Sequence, residues 1–297
     1  MKHSKLAPKD RIARIFLYLV SFIILLMAAY PLYYVVIASF SNPNALANGE
    51  VWLFPKEISL AGYKKLGEYS QLWVGYRNTI LYAISGTLLA IIVTIPAAFA
   101  MSRKNALLRN GITIFFTIPM FFGGGMIPTY MLMKSLHLLD NPLVMILPGC
   151  FGVYNMIIAR TFMQNNIPEA LYDAASVDGC GNVRFFLKMV LPLSKAIIAV
   201  IVLYVSVGIW NSYFNALLYM QSKEYQPLQL ALRDILIAND LGMRTGETSN
   251  VGGQLQQRIR DLLKYCVIVV STLPIMCVYP FLQKYFAKGV MIGSIKG

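Results

Sequence analysis

The chain has 297 residues, 57% hydrophobic and only 13% charged, with a mean hydropathy of +0.59. Soluble domains carry about 25% charged residues, so this composition leaves too little polar surface for a water-soluble fold and points to a polytopic membrane protein. The 26 Lys+Arg against 13 Asp+Glu leave a net charge of +13, but the bases flank apolar runs and so bear on membrane orientation before nucleic acid.

A bilayer core needs about 20 mostly apolar residues per helix. Six stretches meet that requirement: 12–40, 78–101, 111–133, 143–163, 185–213 and 263–286. The expected fold is all-α, one transmembrane domain over residues 1–297. The first stretch follows basic residues, yet it is far longer than the roughly 7–15 apolar residues of a signal peptide and counts as a span. Gly123-Gly124-Gly125, the sole run of three glycines, sits inside the third stretch and predicts a bend or a close helix contact rather than a phosphate loop. Orientation is read from the short basic loops. Lys2, Lys5, Lys9 and Arg11 precede the first stretch and Arg14 lies at its start, and Arg103, Lys104 and Arg109 separate the second from the third. Arg160, Arg184, Lys188 and Lys195 bracket the loop after the fourth, and Lys284 at the end of the sixth is followed by Lys288 and Lys296. The positive-inside rule places these segments and both termini in the cytoplasm. Residues 41–76, 134–142 and 215–261 fall outside; Gly242–Gly253 within the last of these reads as a flexible linker or a contact for an external protein.

The scarce residues exclude several chemistries. Two histidines, His3 and His137, and four cysteines, Cys150, Cys180, Cys266 and Cys277, form no paired-His or CxxC spacing, so no protein-built metal site is expected. The cysteines read as small packing residues. There is no GxxxxGK[ST], so the chain is not itself a P-loop ATPase, and no catalytic residue is expected. All thirteen acidic residues lie outside the apolar stretches, whereas ion-coupled transporters place ionisable groups at midplane. Energy for any pumping must come from another subunit.

The most informative stretch runs from Asn165 to Gly179. It predicts a short cytoplasmic helix within 166–181, capped by Asn166, with Pro168 in its first turn, Glu169 at the positive dipole end and Gly179 as a left-handed stop. At about 11 residues, or ~16 Å, it is too short to span. Glu169 and Asp173 share a face at i,i+4, and Ala174 and Ala175 leave a thin surface that another protein could approach. An ordinary connecting helix accounts for these local features equally well.

The wider register resembles the EAA motif of binding-protein-dependent ABC importer permeases: EAA, three residues, Gly, nine residues, then I-x-L-P. Asp173-Ala174-Ala175, Gly179, Met189 and Leu191-Pro192 occupy those places, with Asp173 for the Glu and Met189 for the Ile. The tail is similar to that of the second permease subunit in maltose-type sugar importers, which ends Gly-x-x-x-Gly-x-x-Lys-Gly; Gly289, Gly293, Lys296 and Gly297 match it. The resemblance extends to the subgroup handling oligosaccharides from complex polysaccharides.

That resemblance implies a type I ABC importer permease in the bacterial plasma membrane. It implies a similar second permease as partner, two ATPase subunits that bind ATP and Mg, an extracellular solute-binding protein and a sugar as cargo; this chain holds no cofactor. It further implies that Glu169, Asp173, Ala174, Ala175, Asp178 and Gly179 seat in the ATPase, and that the tail at 287–297, through Gly293, Lys296 and Gly297, reaches the ATPase dimer. For the sugar path, Trp210, Asn211, Tyr213 and Asn215 at the end of the fifth stretch, with Tyr154 and Asn155 in the fourth, pair aromatic faces with amides as sugar sites do. An interfacial aromatic belt and interhelical hydrogen bonds explain the same residues. An autonomous facilitator and a permease for a non-sugar solute are the competing functions.

Overall fold

Long runs of Leu, Ile, Val, Ala and Phe without charge satisfy the backbone internally, and the computed structural model is accordingly helical, with no strand among the described residues, 8–244 and 251–293. The chain opens with α1 (Pro8–Ser39), α2 (Pro43–Ala47), α3 (Ala61–Gly67) and α4 (Ser70–Ser102). Next come α5 (Arg109–Phe121), α6 (Met126–Ser135), α7 (Val153–Asn166) and α8 (Glu169–Val177). After α8 comes a broken rod of α9 (Asn182–Phe185), a π-turn at Phe186–Val190, α10 (Leu191–Leu193) and α11 (Lys195–Trp210). It leads to α12 (Tyr213–Tyr219), α13 (Leu228–Arg244) and α14 (Val251–Gly293).

By length and apolarity, Arg14–Ser39 and Ser70–Ser102 can each cross a membrane. Two further candidates are bent pairs: α5 with α6, at 113°, and Asn182–Leu193 with α11, at 78°. The first bend is where the glycine run lies. Gly125 takes φ +83, and a side chain at Gly123 would meet nothing within 4 Å, so the run serves a turn and not a close helix contact. The second bend comes after Pro192, which cannot donate into the helix and leaves Ser194 to close the turn onto Val190 and Leu191. The stretch 143–163 is helical only in its second half. A 3₁₀ turn at Pro142–Met145 opens it, and Pro148, Gly149 and Gly152 delay the helix until Val153.

The chain divides into two compact units. One comprises residues 1–69 and 235–272. Its core holds Leu66, Leu262, Leu263 and Cys266, all at most 1% exposed. Gly62 is required there, because a side chain would stand 2.6 Å from the Cys266 sulfur. Tyr63 donates to Ser39 Oγ at 2.8 Å and Arg258 to Asn44 Oδ1 at 2.7 Å, tying the 41–69 segment down. Cys266 behaves as the small packing residue expected, whereas Cys277 is exposed.

The other unit comprises residues 70–234 and 273–297. Here α4 packs on α7 and α11 through Ala90, Ala98 and Ala159, whose small side chains let the helices approach. Polar residues in the early turns of α4 hold the segment before α13: Asn78 donates to the Glu224 and Gln226 carbonyls, and Thr79 Oγ1 accepts from Leu228 N–H.

Asp140 holds the start of the same segment. Its carboxylate accepts from the Ser222 hydroxyl, the Ser222 N–H at 2.8 Å and the Gln221 N–H at 3.0 Å. Those bonds, the Ser222 hydroxyl first, hold its carboxyl below the usual carboxylate range. A depressed pKa makes the latch fully present above the ordinary value near 4, and it is lost as pH falls through the folded value. Asp140→Asn is therefore expected to speed amide exchange at Gln221 and Ser222 roughly tenfold at neutral pH. Wild-type protein should lose the same protection on acidification, measured against the intrinsic exchange rate at each pH.

Candidate functional site

Pro168 separates α7 from α8. It sits at φ −60, ψ 141, an extended geometry that detaches the short helix from the longer one before it. Asn166 does not cap α8, as the sequence suggested; its side chain donates back to the Phe162 carbonyl at 2.8 Å and finishes α7. The short helix is thus nine residues, Glu169–Val177, inside the predicted 166–181. Its end is as expected: Gly179 takes φ +74, its N–H bonds the Ser176 carbonyl at 3.0 Å, and Cys180 N–H bonds the Ala175 carbonyl at 2.9 Å. A side chain at Gly179 would meet nothing within 4 Å, so backbone handedness alone selects glycine.

One face of α8 is anchored. Ala175 is 5% exposed, with Leu171 and Tyr172 half-buried beside it. The reading of Ala174 and Ala175 as one thin surface therefore holds for Ala174 alone, since Ala175 points into the core. Tyr172 packs edge-on against the fully buried Phe185, with ring centroids 5.2 Å apart, and donates to Asn182 Oδ1 at 2.7 Å. Phe99 of α4 packs against Phe185 and Phe186 in turn. From the loop after α4, the Arg103 guanidinium lies 3.5 Å from the centre of the Tyr172 ring. Lys104 Nζ stands 2.9 Å from the Glu169 carboxylate and Arg103 3.9 Å. The bound Lys104 ammonium, with Arg103 and Arg109 nearby, holds the Glu169 carboxyl below its ordinary range. Glu169 thus faces this basic loop.

The opposite face is open. Asp173, Ala174, Val177 and Asp178 are all exposed, Val177 at 88%. Their i, i+1, i+4, i+5 spacing puts them on one arc. From sequence Arg103 reads only as an orientation signal, and Tyr172, Val177 and Phe185 carry no role. Val177 carries a signal there, as the one large apolar residue in register with Asp173, whereas the Arg103–Tyr172 contact is visible only in three dimensions.

The candidate path residues are more dispersed. Trp210 is 7% exposed and lines a cavity of about 460 Å³ walled almost entirely by aliphatic groups such as Ile84, Leu88 and Val207. Those walls offer apolar packing rather than hydrogen-bonding groups. Asn211 turns back to the Val207 carbonyl at 3.0 Å, ending α11. Tyr213 and Asn215 are exposed on α12, with Tyr213 edge-on to Phe214. Tyr154 is exposed and Asn155 half-buried, and neither lines the cavity of Trp210. In the tail, Gly293 ends α14, and Lys296 and Gly297 lie outside the described residues.

A family model described as the inner membrane component of binding-protein-dependent transport systems matches residues 72–292. The chain is 39% identical to Protein LplC of Bacillus subtilis (strain 168), over 90% of this chain and 89% of that one. It is 35% identical to the polygalacturonan/rhamnogalacturonan transport system permease protein YtcP of the same organism, over 97% and 100%. Among solved structures, a bacterial ABC transporter involved in the import of the acidic polysaccharide alginate superposes with a TM-score of 0.86 at 29% identity, over 95% of this chain and 99% of that one. The chain belongs to the family of inner membrane components of binding-protein-dependent transport systems.

Proposed function

We propose that this chain is one permease subunit of an ATP-driven importer for oligosaccharides released from complex polysaccharides. The observation that carries the reading is α8, a short helix fixed along one face and bare along Asp173, Ala174, Val177 and Asp178. Such a helix suits a mechanical contact: a partner gripping the bare face moves Tyr172, Phe185 and α4 with it. ATP and Mg belong to two ATPase subunits that receive α8 from this chain and its counterpart from a similar second permease. Closure of the ATPases draws the two helices together and opens the central path outward, where a solute-binding protein delivers the sugar. Tail residues Gly293, Lys296 and Gly297 add a second ATPase contact.

The chain spans the membrane six times with both termini cytoplasmic. Loops assigned to one side contact each other, which supports this topology: Lys104 meets Glu169 on the inner side, and Asp140 meets Ser222 on the outer. The named cargoes of YtcP and of the alginate importer favour uronate-containing oligosaccharides as the first to try. Tyr154, Tyr213 and Asn215 are path residues that keep an exposed polar aspect for such a ligand.

Purification of the tagged chain from its own cell is expected to recover a second permease and an ATPase, with hydrolysis stimulated by binding protein loaded with sugar. Ala174→Arg should insert normally, yet lower uptake at least roughly tenfold, the effect of losing ~1.4 kcal/mol of coupling. Passive sugar flux through the chain alone, with Ala174→Arg unaffected, would establish a facilitator instead.

A further inference from the structure

The loop between α4 and α5 carries more positive charge than α8 neutralises. A cavity of about 390 Å³ opens there, walled by Arg103, Lys104, Arg109 and Glu169 together with apolar Phe99 and Met163. Three cations against one carboxylate leave a formal excess of two positive charges. Glu169 is already engaged by Lys104 and Arg103, and Arg109 forms no ion pair within 4 Å among the described residues. A fourth cation, Arg160, lies within electrostatic range of Arg109 and donates to Thr113 Oγ1 at 3.3 Å. Its Nε is buried without a hydrogen-bond partner. With only the Glu169 carboxylate to offset them, these cations favour a further anion in the cavity.

The surroundings indicate which anion. Leu107 and Leu108, at the rim of the loop, are 86% and 73% exposed, and Leu108 adopts a left-handed φ of +56. Beyond them α5 leaves Ile114, Phe115, Ile118 and Phe121 exposed. A basic cavity at the foot of α5, a helix whose outer face is exposed and apolar, matches an amphiphile with an anionic head. We propose that this cavity binds a phosphate group and that an anionic phospholipid supplies it, its acyl chains lying along Leu107, Leu108 and α5. Since the same loop clamps α8, the bound headgroup braces the clamp.

Native mass spectrometry of the full chain in detergent, titrated with phosphatidylglycerol or phosphatidylcholine, tests this. Phosphatidylglycerol should bind more tightly, and Arg109→Gln should weaken it about fivefold, the expected contribution of one basic residue at an anionic lipid surface. Arg109→Lys should retain binding, and Lys134→Gln, outside the cavity, should leave it unchanged. Glu169→Gln removes the only carboxylate on the wall and should tighten binding. Phosphatidylglycerol adducts that survive excess inorganic phosphate confirm the lipid as the source. Phosphate adducts without lipid adducts keep the oxyanion site but overturn the lipid assignment. Equal binding of the two lipids, or wild-type affinity in both Arg109→Gln and Glu169→Gln, overturns the proposal.

Discussion

Arg103→Ala is expected to uncouple the transporter: sugar uptake falls roughly tenfold while insertion, assembly and basal ATP hydrolysis persist. The guanidinium covers the Tyr172 ring at 3.5 Å and reaches Glu169 at 3.9 Å, so it joins the end of α4 to two residues of α8. Its side chain is only 17% exposed. A cation over an aromatic ring contributes from about 0.5 kcal/mol at exposed sites to about 2 when desolvated, and this site lies toward the upper end. That much looseness in the helix proposed to transmit movement corresponds to the tenfold loss. Arg103→Lys keeps the charge but not the planar stack and should recover only part of it. Glu169→Gln should do less damage to transport, because its main partner Lys104 is 76% exposed and the pair is screened by water and salt. The readout is ATP hydrolysed per sugar imported, which a merely destabilising change would leave near the wild-type ratio. A wild-type ratio in Arg103→Ala would show that α8 is held without it.

The second large effect concerns stability. Phe185 is fully buried and meets Tyr172 edge-on at 5.2 Å and Phe99 at 6.3 Å. Phe185→Ala removes the ring at the junction of α4, α8 and α9, just before the π-turn at Phe186–Val190. Comparable core truncations cost about 3–5 kcal/mol. The purified protein should melt several degrees lower, and transport should fail with it. Phe185→Leu separates the two roles: it retains most of the volume, costing less than about 1.5 kcal/mol, but loses the edge-on contact with Tyr172. Near-normal melting with impaired coupling is the expected result. Equal loss of stability in both variants would mean that the ring matters only as filling.

Much of this protein was legible from sequence because the features concerned are local. Apolar runs of membrane length, the bend at Gly123–Gly125 and the left-handed stop at Gly179 each depend on a few consecutive residues. So does the register from Asp173 to Pro192, which resembled the family that residues 72–292 match. Helix starts were less legible. Asn166 has the right chemistry for a cap, but its backbone continues α7 and its side chain had a closer acceptor in Phe162. The stretch 143–163 shows the same limit: its hydropathy reports the environment, while Pro148, Gly149 and Gly152 decide where the helix begins.

What only the tertiary structure decided is which distant residues meet. Hydrophobic periodicity says that one face of α8 is covered, not that Phe185 and Arg103 cover it. Ala175 and Trp210 turned inward, the one into the core and the other against an aliphatic wall, although both stood beside polar neighbours in sequence. Arg103, Lys104 and Arg109 read as an orientation signal along the chain and became a clamp and a charged cavity once the loop folded against α8. Local propensity and burial are properties of a segment, whereas contacts are made where the chain reverses, and reversals at Pro168, Gly179 and Ser194 set those partners.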